Sequence, residues 1–194
     1  DWYEQYLRNV VSFKLTYFKK KIPPKCENVV ELVSSNGVLL QFLCDQMVTH
    51  TKTNFIGTDI DYWACRDLVS RGERFSAICC DAHDRIFKPN GINYMVSNSI
   101  HHLSNYAVVY ENIYLALAKD GIFAGVESDR RLSQLVVKIL KFIPSIFVPY
   151  SLKEIKVETH LLERWLQKPL SAKLRAYNYK SRYTPFHVLY SIKK

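Results

Sequence analysis

Three acids mark three successive apolar runs of the chain. Glu31 lies in Asn28-Val29-Val30-Glu31-Leu32-Val33, Asp59 in Asn54-Phe55-Ile56-Gly57-Thr58-Asp59-Ile60-Asp61, and Asp81 follows Phe75-Ser76-Ala77-Ile78-Cys79-Cys80. Runs of this length and composition read as buried strands. The first leads through the polar turn Ser34-Ser35-Asn36-Gly37 into an apolar stretch from Val38 to about Val48 that reads as a helix. In an open α/β sheet the carboxyl ends of the strands line one crevice, so three carboxylates are expected to face one ligand, as in a cofactor crevice.

The elements that must position them follow from the same pattern. Residues 2–20 carry apolar side chains at mostly helical spacing and end before Pro23-Pro24. A segment with one apolar face follows Asp61, and a polar stretch from His83 to Gly91 leads to a fourth strand, Ile92 to Asn98. Then come a helix from Tyr106 to Ala118, a turn at Lys119-Asp120-Gly121 and a fifth strand, Ile122 to Glu127. Helices alternating with continuously apolar strands argue a parallel sheet covered on both faces. Beyond Asp129 the spacing predicts amphipathic helices over Arg131 to Phe142 and Leu152 to Leu166. A closing antiparallel pair is expected from Lys173 to Lys180 and from Phe186 to Ile192.

With 194 residues, 48% hydrophobic and 23% charged, one domain with a sizeable core is expected. Its parts are an N-terminal helix (1–24), a binding core (25–129), and a basic segment with the terminal strand pair (130–194). The five cysteines are odd in number and form no C-x-x-C pair, which predicts buried free thiols in a reducing compartment. His101 and His102 are adjacent, so they diverge on any regular element, and no metal site is expected. No apolar run approaches membrane-spanning length, the first residues do not read as a signal peptide, and a cytoplasmic location is the default. The missing initiator Met suggests a chain that is cut from a longer one or trimmed. The net charge is +9, and residues 130–194 carry 14 Lys and Arg against 3 Asp and Glu. That asymmetry suits an anionic partner, with a plain solvated face as the competing reading.

The ordered set of motifs over residues 28–128 resembles the class I S-adenosylmethionine-dependent methyltransferases. Their first strand ends in acid-x-Gly-x-Gly-x-Gly, which reads here Glu31-Leu32-Val33-Ser34-Ser35-Asn36-Gly37. Asp59 matches the ribose acid, Asp81-Ala82 the pair beside the adenine, and Ser97-Asn98-Ser99-Ile100-His101-His102-Leu103 the His-His-Leu sequence of one large subgroup of small methyltransferases. The resemblance implies a Rossmann-like, doubly wound, mostly parallel seven-stranded sheet with an antiparallel C-terminal strand. It implies S-adenosylmethionine as cofactor, held by Glu31, Val33, Ser35, Gly37, Asp59, Ile60, Asp81, Ala82, Ser97 and Asn98. His101 or His102 would be the base where the acceptor must lose a proton; the competing reading has them only pack and shape the crevice. Trp2, Tyr3 and Tyr6 would form a lid or simply pack in the core.

Val33 and Ser35 depart from the pattern, standing where the family has glycine. Glycine serves there because the backbone must approach the ligand or adopt positive φ. Either this turn follows another path or affinity falls. The implied activity is methyl transfer to an unidentified, anionic or lipid-like acceptor. The rival is an inactive methyltransferase-like scaffold or partner-binding subunit, and a dinucleotide-dependent oxidoreductase comes third, since G-x-G-x-x-G is missing. Asn98 lies outside an Asn-Pro-Pro-Tyr type motif, and nucleic acid is not favoured as a partner despite the Lys- and Tyr-rich tail from Lys173 to Tyr183. Peripheral membrane contact and a protein partner stay open.

Overall fold

The computed structural model describes residues 14–24, 26–47, 52–128, 179–183 and 187–194. Expectations for Trp2, Tyr3 and Tyr6, for the two basic helices and for residues 173–178 lie outside these. In chain order the elements are α1 (residues 14–19), β1 (Asn28–Leu32), α2 (Val38–Gln46), β2 (Asn54–Asp59), α3 (Tyr62–Val69), β3 (Phe75–Cys79), β4 (Ile92–Ser97), α4 (Tyr106–Ala116), β5 (Leu117–Ser128), β6 (Tyr179–Tyr183) and β7 (His187–Lys193).

The strands hydrogen-bond in the order β3-β2-β1-β4-β5-β7-β6. β1 to β5 pair in parallel, and β7 runs antiparallel to both β5 and β6, so the sheet is mixed. β1 has β2 on one side and β4 on the other, so the chain winds outward in both directions from their shared edge. The carboxyl ends of β1 and β4 therefore flank a switch point, where α/β sheets open a crevice.

Alternation of side chains along β1 divides the core. Val29 packs with Phe18 of α1, Leu40 and Leu43 of α2 and Leu68 of α3. Val30 and Leu32 turn to the opposite face and pack with Val109, Tyr110 and Ile113 of α4. Each such apolar side chain, fully buried, contributes roughly 1.5–3 kcal/mol, so this two-sided covering is what fixes the register of the central strands.

Three sequence expectations need correction. The helix expected to reach Ala118 stops at Ala116, and the turn at Lys119-Asp120-Gly121 lies inside β5. Leu117 already pairs with Ile92 while Ile122 pairs with Tyr94, so residues 118–121 bulge out, with Asp120 left-handed at φ 63°. The first strand of the terminal pair runs on through Tyr183. Finally, only Cys26 and Cys65 are buried; Cys79 is exposed because β3 is the edge of the sheet.

Gly125 of β5 lies opposite Tyr190 of β7, and a Cβ there would overlap the Tyr190 ring. That ring is buried against Phe123 and Tyr110, and its hydroxyl is hydrogen-bonded to that of Tyr110. It has nowhere to retreat. Gly125→Ala is expected to lower stability by about 1–3 kcal/mol through overpacking, read as a lower midpoint in urea denaturation with an unchanged slope.

Candidate functional site

The turn after β1 passes through left-handed backbone three times, at Val33 (φ 56°), Ser35 (φ 49°) and Gly37 (φ 75°). These are the three positions where the resembled motif has glycine, so this chain makes the strained turn without two of them. A residue with a Cβ in this region costs roughly 1–2 kcal/mol, and the surroundings must impose the conformation. Ser34 N–H donates to Thr58 O at 2.9 Å, Ser35 N–H to Asp59 Oδ2 at 2.8 Å, and Arg71 Nε to Asn36 O at 2.7 Å. β2 and the chain after α3 thus hold the turn. At Gly37 and Gly57 an added Cβ would meet Leu68, so the α3 side chain is packed directly on both backbones.

Asp59 ends β2. Its Oδ1 accepts from Asp61 N–H at 3.0 Å, and Asp61 in turn caps α3 by accepting from Trp63 N–H at 2.9 Å. Capping of α3 therefore belongs to Asp61 and leaves Asp59 to the crevice. An ionised carboxylate offers about four lone-pair positions, of which the two backbone N–H groups fill two. Asp81, beyond β3, accepts from His83 N–H at 2.9 Å and from His83 Nδ1 at 2.6 Å. These bonds hold the Asp81 carboxyl below its usual range.

A cleft of about 210 Å³ brings together Val33, Asp59, Ile60, Asp81, Ala82 and His102 of the sequence-predicted residues. Ile60 is 75% exposed, which leaves its side chain open to contact. Thr58, Cys80, His83 and Ser104, to which the sequence assigns no role, also line this cleft, as does Leu103 of the His-His-Leu sequence. His83 had one legible signal, its place two residues after Asp81, the spacing of a carboxylate that bonds its own backbone.

Ser97 and Asn98 lie outside the lining of the cleft. Ser97 is buried and donates to Leu32 O at 2.9 Å, tying the ends of β4 and β1 together. Asn98 Oδ1 accepts from Ser99 Oγ at 2.8 Å. His101 and His102 lie in a short 3₁₀ turn, Ile100–His102; the side chain of His101 is outside the described set. Glu127, at the end of β5, is buried and accepts from Ile100 N–H at 3.0 Å, anchoring that turn. It is a fourth acid at a strand end, which the sequence reading placed in a strand and gave no role.

Glu31 is the most constrained acid. It is 2% exposed, Leu40 N–H in the first turn of α2 donates to it, and its Oε2 has no hydrogen-bond partner. Burial pushes its carboxyl well above the usual range, and the Asp59 charge adds to this against the Leu40 bond and Arg71. A buried acceptor without a donor beside the cleft-forming turn fits a cationic or donor-bearing group, such as the amino group of an amino-acid cofactor. Among the described residues, no group of three or more His, Cys, Asp or Glu side chains could hold a metal ion.

No family model and no curated protein matches the chain in sequence. Solved structures do match it in fold. The plantazolicin methyltransferase BpumL, solved in complex with S-adenosylhomocysteine, is similar with a TM-score of 0.74 at 10% identity, covering 98% of this chain and 88% of that one. A Methanococcus maripaludis protein described as an S-adenosylmethionine-dependent methyltransferase matches at TM-score 0.62 and 14% identity, over 98% and 93% of the chains. A Haloferax volcanii complex of the Trm112 methyltransferase activator with a protein described as a methyltransferase matches at 0.55 and 16%, over 66% of this chain and 57% of that one. The chain has the Rossmann-like fold of class I methyltransferases.

The raised carboxyl of Glu31 has a consequence for stability. The folded protein binds this proton more tightly than the unfolded chain, so the favourable contribution is complete below the ordinary Glu value near 4.5 and is lost as pH rises toward the folded value. Without ligand, stability in urea is expected to decline across that window, and Glu31→Gln should flatten the decline.

Proposed function

We propose that the chain binds S-adenosylmethionine in this cleft and directs methyl transfer to an acceptor. The observation that carries the reading is the buried Glu31 Oε2 without a donor, next to a left-handed turn and a cleft lined by two further strand-end acids. In this assignment Glu31 faces the charged amino group of the methionine moiety, and the Val33 to Gly37 backbone passes along it. Asp59 accepts from the ribose hydroxyls, Ile60 packs on the adenine, and Asp81 with Ala82 takes its edge. Ser97 and Asn98, at and just past the end of β4, are assigned to the cofactor-binding side, where Ser97 also ties β4 to β1. When bound, the cofactor supplies an electrophilic methyl group whose leaving group is a neutral thioether. The chain then has to align and desolvate the acceptor. His102 lines the same cleft and is available as base where the acceptor carries a proton to be lost; His101 is assigned the same role by its position in the turn. The degenerate glycine positions and the His-His-Leu sequence are read as features of a small methyltransferase subgroup.

Residues 1–194 are read as one unit, with the basic segment 130–194 on the acceptor side. Its excess of 14 basic over 3 acidic residues favours an anionic or lipid-like acceptor. No helix among the described residues is long and apolar enough to cross a membrane.

A second reading, a partner-binding subunit, draws on one observation. Tyr62 and Trp63, 61% and 59% exposed, stand beside Ile60 at the start of α3, the helix leading to β3, which is the edge strand among the described residues. Exposed aromatics beside an edge strand suit a protein partner, and the Haloferax protein is found with an activator protein.

Calorimetry with S-adenosylhomocysteine separates the two. Micromolar binding, weakened about tenfold to a hundredfold in Asp59→Ala through loss of charge-assisted hydrogen bonds, is expected for the enzyme. No binding by the wild-type chain would leave the partner-binding reading standing alone.

A further inference from the structure

We propose that His83 is a positioning residue that makes the cleft select a 6-amino over a 6-oxo purine, by fixing Asp81 as a one-sided acceptor. This rests on reading the cleft as an adenosyl site. Both hydrogen bonds of Asp81 fall on one oxygen, Oδ1, from the His83 backbone N–H and from its ring Nδ1. Oδ2 is the oxygen left for a ligand.

The ring is held from its other side. Asn105 N–H, at the residue preceding α4, donates to His83 Nε2 at 3.3 Å. Since Nε2 accepts there, Nδ1 must carry the proton and donate to Asp81, a tautomer set by its partners. The backbone is fastened as well, because Asn112 Nδ2 of α4 donates to His83 O at 2.8 Å and to Asp84 O at 3.2 Å. Asp81 itself is half exposed, on an irregular connection between β3 and β4. Without the imidazole its carboxylate would keep only the bond from the backbone N–H of residue 83 and could turn about it. His83 therefore transmits the rigidity of α4 to an otherwise loose acid.

The chemistry of selection follows from the fixed charge. The bonds from His83 keep Asp81 ionised, so it accepts and cannot donate. An exocyclic amino group satisfies Oδ2. A 6-oxo group would set one acceptor against another, and a site built to receive a donor rejects the analogue that lacks one.

The test compares binding of S-adenosylhomocysteine with that of S-inosylhomocysteine by calorimetry, in wild type and in His83→Ala, His83→Asn and His83→Gln. The wild type is expected to prefer the adenosyl compound by about tenfold or more. Asn places an amide donor near the Nδ1 position and should keep most of that preference. Gln reaches only toward Nε2, and Gln and Ala should bring the two affinities to within about threefold of each other. The Asn and Gln contrast stands even where the Ala variant does not fold, which its thermal melt reports. Equal preference in wild type and in folded Gln or Ala variants would overturn the role of His83 while leaving the adenosyl site intact. Failure of the wild type to bind either compound would overturn both.

Discussion

The carboxylate of Asp59 joins two pieces of backbone that would otherwise be independent. One oxygen holds Ser35 in the turn after β1, and the other holds Asp61 at the entry of α3. The first bond makes a left-handed serine tolerable, and the second sets the start of the helix whose Leu68 packs on Gly37 and Gly57. The path of the turn, the seat of α3 and the shape of the cleft therefore rest on one charge-assisted acceptor.

The two faces of the sheet contribute differently to the cleft. On the α2 side the chain buries a carboxylate, Glu31, beneath the positive end of a helix. On the α4 side no helix connects β3 to β4. That crossover is an irregular stretch tied to α4 through Asn112, over a cavity of about 280 Å³ lined by apolar side chains such as Phe87, Met95 and Ile113. Ala82 lines both this cavity and the cleft, so the cavity borders the ligand edge.

Much of this was legible in the sequence because the strands are strongly apolar and end in acids. Val29 and Val30, buried on opposite faces, make β1 readable as a central strand from its composition alone. Of the three acids legible in order along the chain, Asp59 and Asp81 line the cleft and Glu31 is buried outside its lining. What stayed hidden depends on contacts between distant residues. Glu127 and Ile100 are 27 positions apart, and Asn105 meets His83 across 22. Lys-Asp-Gly carries the same local signal in a plain turn and in the bulge at residues 118–121, and only the pairing of Leu117 with Ile92 decides. The sequence also left two outcomes for Val33 and Ser35; their φ angles select the path that glycine would have taken.

That choice of residues changes the thermodynamic character of the turn. A glycine there would lose more chain entropy on ordering, a cost that grows with temperature. Val33 and Ser35 surrender fewer unfolded conformations and instead pay in steric crowding, which is largely enthalpic. The same backbone path is thus held by a stiffer segment, one whose ordering cost depends less on warming than that of a glycine-rich loop.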